Sequence, residues 1–123
     1  MLHRKLFDEV GLFDVQLPAC EDYDLWLRIT SKYPVLLLKE HLTLKYGGHQ
    51  DQLSQQYWGM DRFRIQALHK LLSKSDLTKT QCEAAVDILK KKINIYLIGA
   101  KKRNKKDEID YYKKLLDYHL LKC

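Results

Sequence analysis

Features of membrane-spanning and secreted proteins are missing from this sequence. Its longest uncharged apolar stretch, Ile93–Ala100, is far shorter than the about 20 apolar residues that a helix needs to cross a bilayer. No basic segment followed by an apolar run stands near residue 1, so no signal peptide is expected. The 3 cysteines are widely spaced and form no Cys-x-x-Cys pair, which predicts a reducing compartment and no cysteine-bound metal. We therefore expect a cytoplasmic protein that touches a membrane, if at all, at its inner face.

Signatures of several enzyme classes are missing as well. There is no glycine-rich phosphate loop, no Gly-x-Ser-x-Gly, and no pairing of Cys with His that would indicate a hydrolase. The chain has neither internal repeats nor a low-complexity segment. An apolar fraction of 46% and a charged fraction of 31% over 123 residues are typical of one globular domain with a modest core.

Positive charge is concentrated in the second part of the chain. The net charge is −1 over residues 1–50 and +7 over residues 51–123, and Lys90–Lys92 and Lys101–Lys106 supply much of the excess. Such clusters are typical of a solvated helix face or a polar turn, but they also suit an acidic partner or an anionic membrane surface. Because no aromatic residue interrupts the second cluster, we do not expect nucleic acid as a partner.

Short elements are predicted at the beginning of the chain. Leu6–Val10 has the pattern of a helical turn that Gly11 ends, since glycine takes the left-handed conformation a helix end often needs. Apolar spacing predicts a second helix over Glu21–Ser31. Val35–Leu38 is continuously apolar and Leu42–Tyr46 alternates, so these segments predict two short strands.

The remainder of the chain is predicted to be helical. Helical spacing extends over Leu53–Ser73, and Thr78–Gln81 forms a capping box that starts a second helix. The apolar face predicted for this second helix consists of Cys82, Ala85, Val86, Leu89, Ile93, Tyr96, Leu97 and Ala100. A third helix is marked by Ile109, Tyr112, Leu115, Leu116, His119 and Leu120. Short connectors favour an antiparallel arrangement. The expected fold class is α+β, mostly α: a short helix and two short strands followed by a three-helix antiparallel tail. We expect residues 53–123 to pack on residues 1–52 in one compact domain.

The most informative stretch is Ala19–Ile29, where three carboxylates precede an apolar run with helical spacing. Acids in a first turn stabilise the positive end of a helix, and this alone would explain Glu21 and Asp22. A carboxylate at the rim of a packed core can also be directed at a substrate. Arg28 is expected to form a structural ion pair with Asp24, which lies four residues earlier.

Three segments carry a resemblance to a known family: Leu6–Asp14, Cys20–Arg28 and Tyr33–Val35. Together they resemble the acceptor-side segment of inverting family-2 glycosyltransferases of the GT-A type, in which a hydrophobic-Phe-Asp-Glu-x-Gly-x-Phe-Asp turn leads into a Glu-Asp pair on a short helix. The resemblance covers roughly the first third to half of the chain. It implies that Asp22 is the general base for the acceptor hydroxyl and that Glu21 orients the acceptor or holds Asp22.

The resemblance implies further site residues. Beside these, the residues themselves suggest that Trp26 packs in the core, although an aromatic ring near the acceptor could stack on a sugar face, and that Gly48 lets the backbone approach the acceptor closely. His49 resembles a ligand of the divalent cation, Mn²⁺ or Mg²⁺, on the nucleotide diphosphate, with Asp51 as a second ligand or a helix N-cap. A place in a surface loop explains His49 equally well.

The activity implied by the resemblance is transfer of a sugar from a nucleotide-sugar donor to a glycan, lipid-linked or small-molecule acceptor. No Asp-x-Asp metal motif precedes Glu21, and Asp22-Tyr23-Asp24 fits that pattern by coincidence. The nucleotide-binding half is therefore expected to be absent, leaving a partial GT-A fold. We expect no transferase activity and no bound cation from this chain alone. We also expect a homo-oligomer, because apolar segments lack their sheet partners.

The alternative function is a non-enzymatic helical interaction module. Its basic turn, Lys101–Lys106, would bind an acidic partner or a membrane surface. Binding that depends steeply on salt and does not respond to nucleotide diphosphates would distinguish the module from the enzyme segment.

Overall fold

The computed structural model describes residues 2–44, 46, 57–74 and 76–122. Within these ranges the chain forms five helices and no strand. The helices are α1 (Lys5–Val10), α2 (Glu21–Thr30), α3 (Asp61–Lys74), α4 (Lys79–Lys102) and α5 (Lys106–Lys122). Each helix packs against the next one along the chain. The prediction of a mostly helical chain is confirmed.

Local signals set two of the helix boundaries where the sequence predicts them. Gly11 follows α1, and its N–H donates to the carbonyl oxygen of Phe7. Its φ of 82° is positive as expected, but its ψ of 172° lies outside the left-handed helical region. At the start of α4 the Thr78 hydroxyl accepts the backbone N–H of Gln81 at 3.3 Å, while the Gln81 side chain accepts the backbone N–H of Thr78 at 2.9 Å. This reciprocal pair satisfies two backbone donors that the first helical turn leaves free.

The main core lies between α3 and α4, and α5 closes it from the side. Asp61 at the start of α3 pairs with Lys92 in the second half of α4, so these two helices run antiparallel. Seven of the positions predicted for the apolar face of α4 are buried: Ala85, Val86, Leu89, Ile93, Tyr96, Leu97 and Ala100. On α5 the predicted face is half-buried except for His119, which is fully buried, and Leu120, which is exposed contrary to the prediction.

A smaller core cluster positions the start of α2. Leu17, Ala19 and Cys20 are buried against Phe63 of α3. The segment that leads into α2 is therefore packed on the helical bundle before the helix begins. This contact fixes the place of the first turn of α2 relative to α3.

The prediction of two short strands is wrong for the residues that the structure describes. Val35–Leu38 and the described residues of Leu42–Tyr46 form no strand, and their large apolar side chains are exposed, Leu36 at 85% and Leu37 at 84%. A strand is stable only when another strand accepts and donates its backbone hydrogen bonds. The described residues offer no such partner, so the apolar pattern alone does not produce a strand.

The third helix begins later than predicted over the residues that the structure describes. The prediction placed it at Leu53, and residues 53–56 lie outside the described residues. Tyr57–Met60 is described and is a turn, with Gly59 at φ of 65°, so α3 begins at Asp61. The left-handed conformation of Gly59 interrupts a right-handed helix.

Candidate acceptor site at the start of helix α2

Helix α2 begins at a residue with unusual backbone geometry. Cys20 is the N-cap residue with φ of 62° and makes no side-chain capping bond, although its thiol lies 3.8 Å from the carbonyl oxygen of Met60. The carboxylates of the first turn, including Glu21 and Asp22, provide the negative charge that a helix N-terminus favours. Burial raises the pKa of the Cys20 thiol, partly offset by Arg64, and the charges of Asp22 and Glu21 raise it further.

The third carboxylate of this turn, Asp24, is buried and paired with two cations. Its side chain is 1% exposed, and one oxygen lies 2.8 Å from a terminal nitrogen of Arg28. The other oxygen lies 2.6 Å from the Lys70 ammonium of α3, which also contacts Asp14 at 2.7 Å. The predicted ion pair between Asp24 and Arg28 is confirmed. The pairing with Lys70 and Asp14 joins residues far apart in sequence and was not predicted.

Arg28 also connects α2 to the turn after α1. Its guanidinium donates to the carbonyl oxygens of Val10, Gly11 (3.3 Å) and Leu12 (2.8 Å). Carbonyl groups in a turn have no helical partner, so a guanidinium with five donors satisfies several of them at once. The Phe-Asp-Glu turn and the Glu-Asp helix are therefore bonded into one unit.

Tyr33 attaches the third segment of the resemblance to this unit. Its hydroxyl donates to the carboxylate of Glu9 on α1, and this bond raises the pKa of Tyr33. The three segments named for their resemblance therefore contact one another in the folded chain. Glu9 is exposed and Tyr33 is half-exposed, so this bond lies at the surface.

Asp22 and Glu21 remain outside the ion-pair network. The Asp22 side chain is exposed, and one of its oxygens accepts the backbone N–H of Tyr23 at 2.7 Å, while Glu21 is half-buried. Among the described residues, neither carboxylate pairs with a Lys, Arg or His. An exposed carboxylate without a cationic partner is open to a ligand hydroxyl.

Trp26 lies on the same face of α2 as Asp22. The two residues are four positions apart, which places them one above the other on a helix. Trp26 is 45% exposed, so a place in the core is wrong for this side chain. An exposed indole one turn away from an exposed carboxylate suits a sugar that stacks on the ring and directs a hydroxyl to the acid.

The other predicted site residues cannot be placed relative to this face. Gly48, His49 and Asp51 lie outside the described residues. In the described ranges, no group of three or more His, Cys, Asp or Glu side chains is arranged to hold a metal ion. The residues described here therefore do not fit a divalent cation by themselves, and no chemical step is assigned to one.

Two cavities flank this part of the fold. One of about 230 Å³ lies between α2, α3 and α4, is mostly apolar, and includes Tyr23 and Leu27 rather than Asp22 or Trp26. Another of about 480 Å³ lies between α3 and α5 and is lined by aromatic side chains together with Arg62 and His69. Neither cavity opens beside the exposed Glu-Asp pair, so the candidate acceptor site is an open surface.

A histidine pair that the sequence did not reveal lies behind the second cavity. His69 Nδ1 and His119 Nε2 are 2.7 Å apart, and His119 is fully buried with its Nδ1 lacking a partner among the described residues. Burial, with the nearby His69 and Lys122, lowers the pKa of His119 to about 4. Burial also lowers the pKa of His69. The 50-residue separation of the two histidines gave no local signal.

Comparisons with protein-family models, with curated proteins and with solved structures found no match to this chain. Across the described part of the chain, every helix is too short or too polar to cross a membrane.

Proposed function

We propose that this chain is the acceptor-side segment of an inverting glycosyltransferase that resembles family 2. The observation that carries the proposal is the bonded unit formed by the three resembling segments. Arg28 bonds α2 to the turn after α1, and Tyr33 bonds the segment after α2 to Glu9 of α1. Asp22 is left exposed at the start of α2.

In the proposed reaction, Asp22 acts as the general base. Its carboxylate accepts the proton of an acceptor hydroxyl while the hydroxyl oxygen forms a bond to the anomeric carbon of the donor sugar. The bond from that carbon to the nucleotide diphosphate breaks on the opposite face, so the configuration inverts. Glu21 orients the acceptor, and Trp26 stacks on its sugar ring. The acceptor is a glycan, a lipid-linked sugar or a small molecule.

The nucleotide-sugar half of the site is proposed to come from a separate part of the complete enzyme. The exposed apolar side chains of residues 35–38, with Leu42 and Leu44, support this, because such a surface is normally covered by a sheet or a partner. Gly48 and His49 keep their proposed roles beside the acceptor and at the divalent cation, Mn²⁺ or Mg²⁺. Turnover of a nucleotide sugar and an acceptor by the isolated chain with Mn²⁺ would contradict this division.

The proposal is tested in a protein that joins this chain to a nucleotide-binding half. If the gene encodes an in-frame strand-and-helix segment with Asp-x-Asp before residue 1, Asp22→Asn in the joined protein should lower kcat by about 10²- to 10⁴-fold with little change in KM. Asp87→Asn removes an equally exposed carboxylate from α4 and should leave kcat unchanged. Release of nucleoside diphosphate measures both. Equal rates for the two variants would favour the non-enzymatic module.

A further inference from the structure

Three positive side chains converge on one exposed tryptophan. The Trp58 ring lies 4.7 Å from the guanidinium carbon of Arg62, 5.1 Å from that of Arg103 and 4.3 Å from the ammonium of Lys105. Trp58 itself is 49% exposed. Separations below about 6 Å are those of cation–π contacts. The basic turn after α4, Lys101–Lys106, has no aromatic residue of its own, and Trp58 contacts it from a distant part of the sequence.

Two glycines lie beside this group of cations. Gly59, at φ of 65°, turns the chain between Trp58 and α3. Gly99 on α4 leaves room for Arg103, because a Cβ at this position would lie 2.9 Å from a terminal guanidinium nitrogen. A side chain at position 59 would strain the turn that carries Trp58, whereas one at position 99 would require only a shift of the flexible Arg103 side chain.

Positive charge exceeds negative charge around Trp58. Glu108 pairs with Lys105 at 2.7 Å and also accepts a hydrogen bond from the Tyr96 hydroxyl. Asp61, which lines the same depression, pairs with Arg64 and Lys92. Arg62 and Arg103 form no ion pair within 4.0 Å among the described residues, although the charge of Arg103 helps to lower the pKa of Glu108. An excess of cations at a surface favours an anionic partner.

Exposed aliphatic side chains lie beside these cations. Ile95 and Ile98 of α4 are each more than half exposed, and Ile95 lines the same depression as Trp58 and Arg103. Lys102 is also exposed, and it lies four residues after Ile98, on the same side of α4. The surface therefore combines an indole, two isoleucines and four cations. We name it the Trp58 surface, and it comprises Trp58, Arg62, Ile95, Ile98, Lys102, Arg103 and Lys105.

We propose that the Trp58 surface docks the chain on an anionic lipid bilayer. Tryptophan is enriched at the boundary between headgroups and acyl chains, where an amphipathic ring is favoured. Lysine and arginine side chains attract anionic headgroups. Exposed isoleucine side chains insert beneath the headgroups, where the acyl chains begin. Nucleic acid fits this surface less well. Its bases stack on open aromatic faces, whereas cations lie over the Trp58 ring. The exposed isoleucines would also contribute nothing to phosphate binding. The proposal does not depend on the proposed sugar transfer.

Vesicle co-sedimentation of the full chain tests the proposal. Vesicles of phosphatidylcholine with one quarter phosphatidylglycerol should bind the chain at low salt, and binding should fall steeply in high salt. Pure phosphatidylcholine vesicles should bind it at least tenfold more weakly. Equal binding to both vesicle types, or no binding to either, would overturn the proposal, as would tighter binding to a single-stranded nucleic acid than to the anionic vesicles.

Charge variants locate the binding surface. Lys102→Gln with Arg103→Gln should weaken binding by about fivefold for each charge removed. The matched control, Lys90→Gln with Lys91→Gln, removes the same charge from exposed positions about 18 Å earlier on α4 and should change binding less than threefold. Equal losses in the two variants would show a non-specific effect of net charge and overturn the assignment. Circular dichroism checks that both variants remain helical.

The apolar part of the surface is tested separately. In a Trp26→Phe background, Trp58 is the remaining tryptophan, and its fluorescence should shift to shorter wavelength on anionic vesicles. Ile98→Ser should weaken binding about tenfold without changing its dependence on salt. Asp22→Asn should bind vesicles like the unsubstituted chain, so failure of one proposal is distinguishable from failure of the other. An unchanged Trp58 spectrum in the presence of bound vesicles would contradict this docking geometry.

Discussion

Asp22 and Asp24, two residues apart on the first turn of α2, have opposite environments. Asp22 is exposed and accepts only the neighbouring backbone N–H, whereas Asp24 is 1% exposed and pairs with Arg28 and Lys70. Successive side chains on a helix are rotated by about 100°, so residues two apart point in nearly opposite directions. The same helix can therefore anchor one carboxylate in the fold and present the other to a ligand.

The first prediction compares these two carboxylates. Asp24→Asn should lower the free energy of unfolding by about 3 kcal/mol, because Arg28 and Lys70 lose the charge that compensates for their partial burial. Asp22→Asn should lower it by at most about 1 kcal/mol, the contribution of a first-turn acid to the helix dipole. Urea denaturation of the two variants measures the difference. Equal losses would mean that the buried network contributes little to stability.

The second prediction concerns acid pH and the buried histidine pair. His119 has a pKa of about 4 in the folded chain against an ordinary 6.5. Between these values the unfolded chain binds a proton that the folded chain excludes. The contribution of neutral His119 to the free energy of unfolding is therefore fully present above pH 6.5 and is lost as the pH drops toward 4. The slope should approach about 1.4 kcal/mol per pH unit for one proton. Urea unfolding midpoints measured from pH 7 to pH 4.5 test it.

Two variants assign this slope to the histidine pair. His119→Leu removes the titrating ring and should flatten the slope, leaving only the contribution of His69, whose pKa is also lowered. His41→Gln removes an exposed histidine and should leave the slope unchanged. Lys70 lowers the pKa of Asp14, and that carboxylate loses its stabilising effect below 3.8, outside this pH window. A slope that persists fully in His119→Leu would refute the assignment.

The third prediction concerns the N-terminus of α4. Thr78→Ala removes the hydroxyl that accepts the Gln81 backbone N–H and should cost about 1 kcal/mol of stability. Thr80→Ala removes a similar hydroxyl from an exposed helical position and should have no destabilising effect, since alanine favours helices. Thermal unfolding followed by circular dichroism distinguishes the two. A destabilisation by Thr80→Ala as large as that by Thr78→Ala would contradict the role of the capping box.

The fourth prediction concerns self-association through the exposed segment after α2. The side chains of Leu36 and Leu37 are 85% and 84% exposed in the single chain, and a homo-oligomer would bury such a surface. Light scattering at micromolar concentration should give a mass above that of one chain, and Leu36→Glu with Leu37→Glu should shift it toward one chain. Leu121→Glu changes an equally exposed leucine on α5 and should leave the mass unchanged. A mass of one chain for the unsubstituted protein would refute the prediction.

Local rules predicted much of the fold because several boundaries are set by neighbouring residues. Gly11 ends α1, Thr78 and Gln81 start α4, and the spacing of apolar residues identifies the buried face of α4. The strands failed because Val35–Leu38 has an apolar pattern without a partner strand among the described residues. Pattern shows which side chains prefer burial, but it does not supply the backbone that a strand must bond to.

The candidate site was predictable only in part for a related reason. The pair of Asp24 and Arg28 follows from helical spacing, and the sequence identifies it directly. The contact of Lys70 with Asp24 spans 46 positions, and the exposure of Trp26 depends on which face of α2 meets α3. Such relationships depend on how the helices pack, because spacing within one helix says nothing about its neighbours.

The sequence by itself determined the helical character of the chain, the capping of α4 and the place of a Glu-Asp pair at a helix start, since these depend on residues at most a few positions apart. Tertiary structure alone decided which carboxylate is buried, how the two histidines meet, and that Trp58 joins the basic turn after α4. The physical reason is that burial and charge pairing depend on distances through space, and packing of helices brings together residues that the chain separates by dozens of positions.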